Sequence, residues 1–475
     1  MPTPEVIVLG AGPAGSTLAR LLATSGIAVF LVDRPKVRQH MPEETLPPTA
    51  APILEGLGLQ GLFTREQFFG TPRRSVHWNP KDASRMVVQD LAPHERGFKV
   101  GREILDRELR GLAVNAGATR VEADVLAIDG TSKQVRIRTL AGHEQTLNAA
   151  VIVNALGARG SLLSGSVSAQ LPDTLALTAT VDQAHASLDT TVIEAVPEGW
   201  LWWIPRAIGG AALTLMVDAA EARKVGAHVL HQRALQQSLG PARGLKLRCD
   251  QGTAATARLV LPHEGVLHCG DAASGVDPLS SQGLMNAFLS ARRTFEAIRT
   301  LLESPHLDRA VQHHLNQFHR AHWREHARTT LAWYASEQRF AEAPFWQSRH
   351  QFLLDDTPSG TVKLPRCFVR TQRLIPAPLL VSDGERLRER MGYQSPRSGD
   401  ALHEIGRLSV YQVLKLTEQP GSFEDCCRRA GAIAGQSIMS REELRGILHE
   451  ASAHGFIETW MEDLPRERAA APGSP

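Results

Sequence analysis

Gly10-Ala11-Gly12-Pro13-Ala14-Gly15 is the first stretch of the chain whose residue types and spacing could do chemistry. Its glycines fall as G-x-G-x-x-G between an apolar run, Val6–Leu9, and a helical pattern carrying Leu18, Leu21 and Leu22. A second apolar run, Ile27 to Val32, ends at Asp33. This strand–turn–helix–strand order gives each glycine a physical task. Gly10 permits a tight turn, Gly12 lets backbone approach a pyrophosphate, and Gly15 lets helix and strand pack closely. The helix start at Pro13 and Ala14 offers unpaired N–H groups and a positive dipole end to phosphate. Asp33, with Arg34 beside it, stands about twenty residues on, where an acid bonds ribose hydroxyls and repels a 2′-phosphate. The loop reads as a site for the ADP half of a dinucleotide, FAD or NAD.

A second segment narrows the choice. Gly265 to Cys269 reads as a strand running into Gly270-Asp271-Ala272-Ala273. Pro278, Ser281, Gln282 and Gly283 follow in a loop, and Leu284, Ala287, Phe288 and Ala291 then recur on one side of a helix. An acid at a strand end, a Pro/Ser/Gly loop and a helix start make another anion-facing site. The order GDAA…DPLSSQG resembles the second FAD fingerprint of the flavoprotein monooxygenase and flavin-dependent halogenase superfamily. The resemblance implies that Asp271 bonds the ribityl chain and that the start of the helix, from Ser281 to Leu284, faces the flavin pyrimidine edge. Gly101-Arg102-Glu103-Ile104-Leu105-Asp106 is similar to the family's helix-opening segment, in which the arginine meets FAD. Val151 to Gly157 resembles the strand that closes under the dinucleotide.

Trp200-Leu201-Trp202-Trp203-Ile204-Pro205 contains W-x-W-x-I-P and looks like the signature of tryptophan halogenases and their relatives. Trp200, Trp202, Trp203 and Pro205 are expected as cavity walls that exclude water from reactive oxygen species. Halogenases of this type carry a lysine after a phenylalanine and ahead of a tryptophan. Here Phe69 and Trp78 match that spacing, but Gly70 stands at the lysine position and Lys81 lies beyond Trp78. Glycine cannot direct an electrophilic halogen, and an arginine such as Arg73 stays protonated. The resemblance then implies the superfamily's hydroxylase chemistry, in which a flavin C4a-hydroperoxide delivers OH to an electron-rich aromatic ring. A base would assist. His77 is the first candidate, because it adjoins the Gly70 segment; His94, Glu194 and Asp218 are others.

The elements that must position these groups are legible in outline. The expected fold is α/β plus α: a Rossmann-type FAD-binding domain built from 1–70, 97–170 and 250–300, with an inserted β-sheet substrate domain from 71–96 and 171–249. Strands are expected at Leu175 to Val181 and Ala212 to Val217. A helical extension follows over 301–395. His319, His322 and His326 fall on one helix face, read as solvated and not as a metal site. Three helices, Leu402 to Leu416, Cys426 to Ala434 and Glu442 to His454, with a strand at Gly455 to Trp460, resemble a small winged-helix-like domain over 396–462. The Pro/Ala/Gly-rich tail, 463–475, reads as disordered.

Composition bounds the function. With 52 basic and 50 acidic residues among 475, the net charge of +2 gives no reason to expect nucleic acid. No apolar run is long enough to span a bilayer, the start lacks a signal-peptide pattern, and the five scattered cysteines fit a reducing cytoplasm. No second G-x-G-x-x-G unit appears, so electrons come from transiently docked NAD(P)H or from a separate reductase. Halogenase-like landmarks without the lysine, plus an appended domain, resemble the flavoproteins that mature tryptophylquinone cofactors. That resemblance implies O2 as co-substrate and a peptidyl tryptophan of a partner protein as substrate, docked with help of the C-terminal domain. The alternatives are a small-molecule indole or phenol hydroxylase, a halogenase with another halogen-handling residue, and a non-catalytic FAD protein that only binds a partner.

Overall fold

In the computed structural model, the described residues are 4–34, 43–64, 68, 70–79, 88–92, 95–159, 167–181, 189–206, 209–247, 252–260, 263–354, 367–372, 374–397, 399, 401–406, 408–433 and 440–459. His94, Phe69, Lys81, Trp460 and the tail 463–475 lie outside them. The chain divides into two units, 1–354 and 355–475.

The first unit is built on two seven-stranded sheets. In one, Val266–His268, Val151–Asn154, Val6–Leu9, Val29–Asp33 and Thr119–Asp129 lie side by side and parallel, and Gln134–Thr139 and Glu144–Asn148 extend the edge antiparallel. The central strands Val6–Leu9 and Val151–Asn154 are buried along their whole length, as unbroken apolar runs in a sheet covered on both faces must be. Helix Pro13–Thr24 packs on this sheet, and helices Arg102–Asn115 and Gly283–Glu303 pack against that helix.

The other sheet runs Thr253–Ala254, Thr174–Val181, Ala211–Asp218, Gly199–Pro205, Thr190–Val196, Arg73–His77, Val88–Asp90. Its pairings are antiparallel, except that Arg73–His77 runs parallel to Thr190–Val196. Both faces are packed. Leu177, Leu201, Trp203 and Leu213 meet Leu230 and Leu235 of helix Ala227–Gln237 on one side. Trp200, Trp202, Ile204 and Met216 meet Tyr334, Phe345 and Trp346 on the other, from helices Asp308–Ser336 and Pro344–His350.

The second unit has its own core, in which Phe368, Val413, Leu414, Leu444, Leu448 and Phe456 take part. Helices Val410–Leu416 and Arg441–Ala453 each begin with a reciprocal capping box, Ser409 with Gln412 and Ser440 with Glu443. Helix Phe423–Ile433 lies between them in sequence, and Ile457–Thr459 pairs with Phe368–Arg370.

Two expectations need correcting here. The helical extension over 301–395 ends at His350. Residues 375–394 instead form a hairpin, Ile375–Ser382 with Leu387–Gln394, whose mixed polarity and Pro376 and Pro378 suit an exposed ribbon. Leu402 to Leu416 is helical only from Val410, because Gly406 takes a left-handed φ of 57° in a tight hairpin and Ser409 starts the helix.

Candidate functional site

The first glycine loop has the geometry its sequence requires. Gly10 has φ 101°, and a Cβ there would lie 2.4 Å from the Ala155 carbonyl oxygen. A Cβ on Gly15 would lie 1.9 Å from the Gly10 oxygen. Gly12 differs: its φ of −75° and ψ of −174° suit any residue, and nothing lies within 4 Å of its missing Cβ. Neither the backbone nor any neighbour in the fold requires glycine at position 12. Gly12 precedes a helix with Pro13 first and no side-chain cap, an arrangement that leaves the helix start open to an anion. Asp33 ends its strand with Arg110 3.9 Å away, and Arg34 is paired with Asp124 at 3.1 Å.

The two fingerprints meet. Gly270 has φ 65°, and a Cβ on it would lie 2.7 Å from the Ala14 side chain. Its N–H donates to Ser290 Oγ of helix Gly283–Glu303 at 2.7 Å. Asp271 follows at the mouth of this contact. Its side chain reaches solvent, yet crowding by protein pushes its carboxyl up to about 6, while the Arg102 guanidinium pulls the other way. Arg102 opens its helix, bonded to Glu44 and, at 3.3 Å, to Asp106. Burial works against its charge, but the two carboxylates hold the guanidinium above its ordinary range.

Pro278–Ser280 forms one tight turn, Ser281 takes a left-handed φ of 51°, and Gln282 precedes the helix without a side-chain cap. Gly283 has open space around it, while Leu284 enters the core. The loop is anchored through Asp277. Its carboxylate accepts from Leu279 N–H at 2.9 Å and from the Tyr334 hydroxyl at 3.1 Å, and Tyr334 in turn accepts from Trp200 Nε1 at 3.3 Å. Burial and the neighbouring Asp277 carboxylate push the Tyr334 phenol well above its usual range.

Trp200 and Trp202 stand on the sheet face that carries Tyr334 and Trp346, with Leu279 of the loop packed against it. Trp203 points the other way, because alternate residues of a strand face opposite sides, so it belongs to the opposite core and walls no shared cavity with them. Pro205 ends the strand. Trp78 joins the first group, donating from Nε1 to the Trp333 carbonyl at 2.9 Å.

The three described candidate bases are engaged elsewhere. His77 is buried, and its Nε2 accepts from Arg339 at 2.9 Å; Arg339 is itself paired with the buried Glu337 at 2.7 Å. Glu194 accepts from Ser238 and Leu239 N–H, both at 2.6 Å. Asp218 caps helix Ala219–Val225. The histidine face also differs from expectation. His319 is buried and bonded to Ser274 at 3.2 Å, because its helix buries the stripe Leu315, His319, Trp323 and Ala327, while His322 and His326 are half-buried.

Two features are added by the structure. Gly70 is closed to any side chain: a Cβ there would lie 2.7 Å from Arg96 Cβ and 2.9 Å from the Gly97 oxygen. Lys99, within Gly97-Phe98-Lys99-Val100-Gly101, is buried. A lysine inside an otherwise apolar strand was the available sequence signal.

Residues 79–373 match the tryptophan halogenase family model. The chain belongs to this family. Among solved structures it is similar to the peptidyl tryptophan dihydroxylase QhpG, essential for tryptophylquinone cofactor biogenesis, with a TM-score of 0.71 and 23% identity over 96% of this chain and 100% of that one. It is also similar to the flavin-dependent halogenase CmlS, with a TM-score of 0.76 and 19% identity over 96% of each chain. Among curated proteins it is 23% identical to digeranylgeranylglycerophospholipid reductase of Thermoplasma volcanium, over 64% of this chain and 80% of that protein. The family implies FAD, and the open cradle at Gly12 beside the uncapped helix start fits its pyrophosphate. No helix among the described residues is long and apolar enough to cross a membrane.

Proposed function

We propose that this member of the tryptophan halogenase family is an FAD-dependent monooxygenase that hydroxylates an electron-rich aromatic ring, most simply a tryptophan side chain of a partner polypeptide. One observation carries the choice of hydroxylation over halogenation. The halogen-handling lysine is replaced by Gly70, and the adjoining backbone leaves no room for any side chain there. The similarity to a peptidyl tryptophan dihydroxylase along the whole length of that protein supports the polypeptide substrate.

When bound and reduced, FAD supplies activation of dioxygen. The protein's own residues do the rest. Gly12 and the helix start at Pro13 and Ala14 hold the pyrophosphate, Asp33 the ribose, and Asp271 and Arg102 the ribityl side. The uncapped helix at Gly283 turns its positive end to the ring edge, where negative charge accumulates on reduction. Asp277 and Tyr334 fix the loop before that helix against Trp200, and the aromatic group Trp78, Trp200 and Trp202 keeps water from the reacting centre. Electrons come from NAD(P)H or a separate reductase, and the second unit serves to dock the substrate polypeptide.

The test is an assay of the reduced protein with dioxygen and excess bromide, offered peptidyl and free indoles and phenols. Mass spectrometry should find one or two added oxygens on a peptidyl tryptophan. A brominated product would overturn the reading, and turnover of free aromatics alone would remove the polypeptide substrate.

A further inference from the structure

Lysine is scarce in this chain: eight of its 52 basic side chains are lysine and the rest are arginine. Among the described lysines, Lys133, Lys224, Lys246 and Lys415 reach solvent, whereas Lys99 is only 5% exposed. Lys99 lies on strand Phe98–Gly101, which pairs antiparallel with Glu43–Leu46 and sets Thr45 opposite it. Its Nζ donates to Thr45 Oγ1 at 3.1 Å. No carboxylate pairs with it among the described residues. An ammonium has three N–H donors, and one neutral hydroxyl does not offset its loss of water. Burial accordingly pushes the amine down to about 8.

The position of the amine matters as much as its state. Directly opposed residues of an antiparallel pair share a face. One face of this short ribbon carries Leu46, Phe98 and Val100 into the core under helix Arg102–Asn115. The other carries Lys99, Thr45 and Glu43. Glu43 accepts from Arg206 Nε at 2.9 Å, and Arg206 directly follows Pro205 of the tryptophan strand. Lys99 thus shares its face with the Glu43–Arg206 pair, which joins this ribbon to the tryptophan-bearing sheet. Gly70 packs on Arg96 and Gly97, just ahead of Lys99 on the same segment.

We propose that Lys99 is the proton acceptor of the hydroxylation, its neutral amine receiving the ring proton once oxygen is in place. This rests on the monooxygenase reading. In the step, the C–H bond of the hydroxylated ring carbon breaks and its electron pair restores aromaticity. The proton bonds Lys99 Nζ and the oxygen stays on carbon. Dioxygen is the oxidant and the reduced cofactor the source of two electrons; one oxygen atom goes to the ring and the other leaves as water. The ammonium then returns its proton to solvent. Arginine, used nearly everywhere else in the chain, cannot act in this way, because its guanidinium does not deprotonate. The charged neighbours are already matched: Glu43 with Arg206 on the same face, Glu44 and Asp106 with Arg102 beyond the ribbon. Among the described residues none pairs with Lys99, so nothing opposes the loss of its proton above about pH 8.

The experiment uses the full FAD-loaded chain. The 13Cε resonances of lysine-labelled protein are titrated, with Lys99→Arg to assign the site. Lys99 should titrate near 8, below the ordinary range of a lysine. Lys99→Met should keep FAD affinity within about threefold and lose about a hundredfold in single-turnover oxygenation, together with the rise of rate between about pH 7 and 9. Lys99→Arg should not restore it. Titration of Lys99 above 10, or an oxygenation rate in FAD-bound Lys99→Met within threefold of the parent, overturns the assignment. If the parent brominates and does not oxygenate, the monooxygenase reading fails instead. Should Lys99→Met not fold, the titration of the parent still decides.

Discussion

Replacing Gly12 and Gly15 separately by alanine divides the glycine loop into a part that serves the fold and a part that serves the ligand. At Gly15 the new Cβ starts 1.9 Å from the Gly10 oxygen and must retreat to at least 3.0 Å, so helix Pro13–Thr24 has to shift by about 1 Å. Overpacking of this kind costs about 1–3 kcal/mol, against at most about 1 kcal/mol gained from alanine's helix propensity. Gly15→Ala should lower the melting temperature of the flavin-free protein by several degrees. At Gly12 the backbone already suits alanine, and nothing lies within 4 Å. The poorer helix cap costs up to about 1 kcal/mol, and the stiffer unfolded chain returns about 0.4–1 kcal/mol, so flavin-free stability should barely change. FAD affinity should fall about a hundredfold, because displaced phosphate loses charge-assisted bonds of about 1.5–3 kcal/mol each. Scanning fluorimetry of the flavin-free proteins and titration of FAD by flavin fluorescence read the two quantities apart. If Gly12→Ala binds FAD within threefold of the parent, the cradle is misassigned.

Burial pushes His268 down to about 4 and His319 to about 3, below the ordinary 6.5, so the folded chain keeps both neutral while the unfolded chain takes up protons. Their contribution is whole above pH 6.5 and is lost as pH falls toward 4, by roughly 1 kcal/mol per pH unit for each ring. Melting temperature should therefore drop steeply between pH 6.5 and 5, and His319→Gln should flatten that slope; a parent protein equally stable at pH 5 and 7 contradicts the burial of these rings. Tyr334→Phe leaves the buried Asp277 carboxylate and the Trp200 indole each short of one partner, and denaturant unfolding should show a loss of about 1–3 kcal/mol. Asp271→Asn should weaken FAD binding at pH 8 more than at pH 5, since the parent carboxyl titrates at about 6; equal weakening at both values removes the ionised carboxylate from the site. Gly70→Lys should lower the melting temperature and confer no bromination, because the clash with Arg96 and Gly97 displaces the new side chain.

The FAD half of the molecule was legible because its motifs are local. Val6–Leu9, the glycine loop and Val29–Asp33 are neighbours in sequence and in the sheet, so period, spacing and turn chemistry agree. The contact of Gly270 with Ala14 was not legible, because it joins residues some 256 positions apart. Distance in sequence also hid the fate of the candidate bases. His77 is held by Arg339, Glu194 by Ser238, and neither partner is marked by any motif. The histidine face of helix Asp308–Ser336 was misread because a polar ring suits water and a buried hydrogen bond to Ser274 equally well in sequence. In the second unit, Pro376 and Pro378 argue against helix, since interior proline removes a donor and clashes with the preceding turn.

The ribbon of Glu43–Leu46 and Phe98–Gly101 shows how few residues join the two sheets' functions. Glu43 and Glu44 are adjacent, so a strand turns them to opposite faces. Glu44 reaches Arg102 at the start of helix Arg102–Asn115; Glu43 reaches Arg206 at the end of the tryptophan strand. Half-buried ion pairs such as these add little net stability, because desolvation offsets much of their attraction. What they fix is position, since a guanidinium fork and a carboxylate meet in one geometry. A one-residue slip of the ribbon would exchange the two faces, sending Glu44 to the side of Arg206 and Lys99 into the apolar core. The register that turns Glu44 to Arg102 is therefore the same register that sets Lys99 on the face of the Glu43–Arg206 pair.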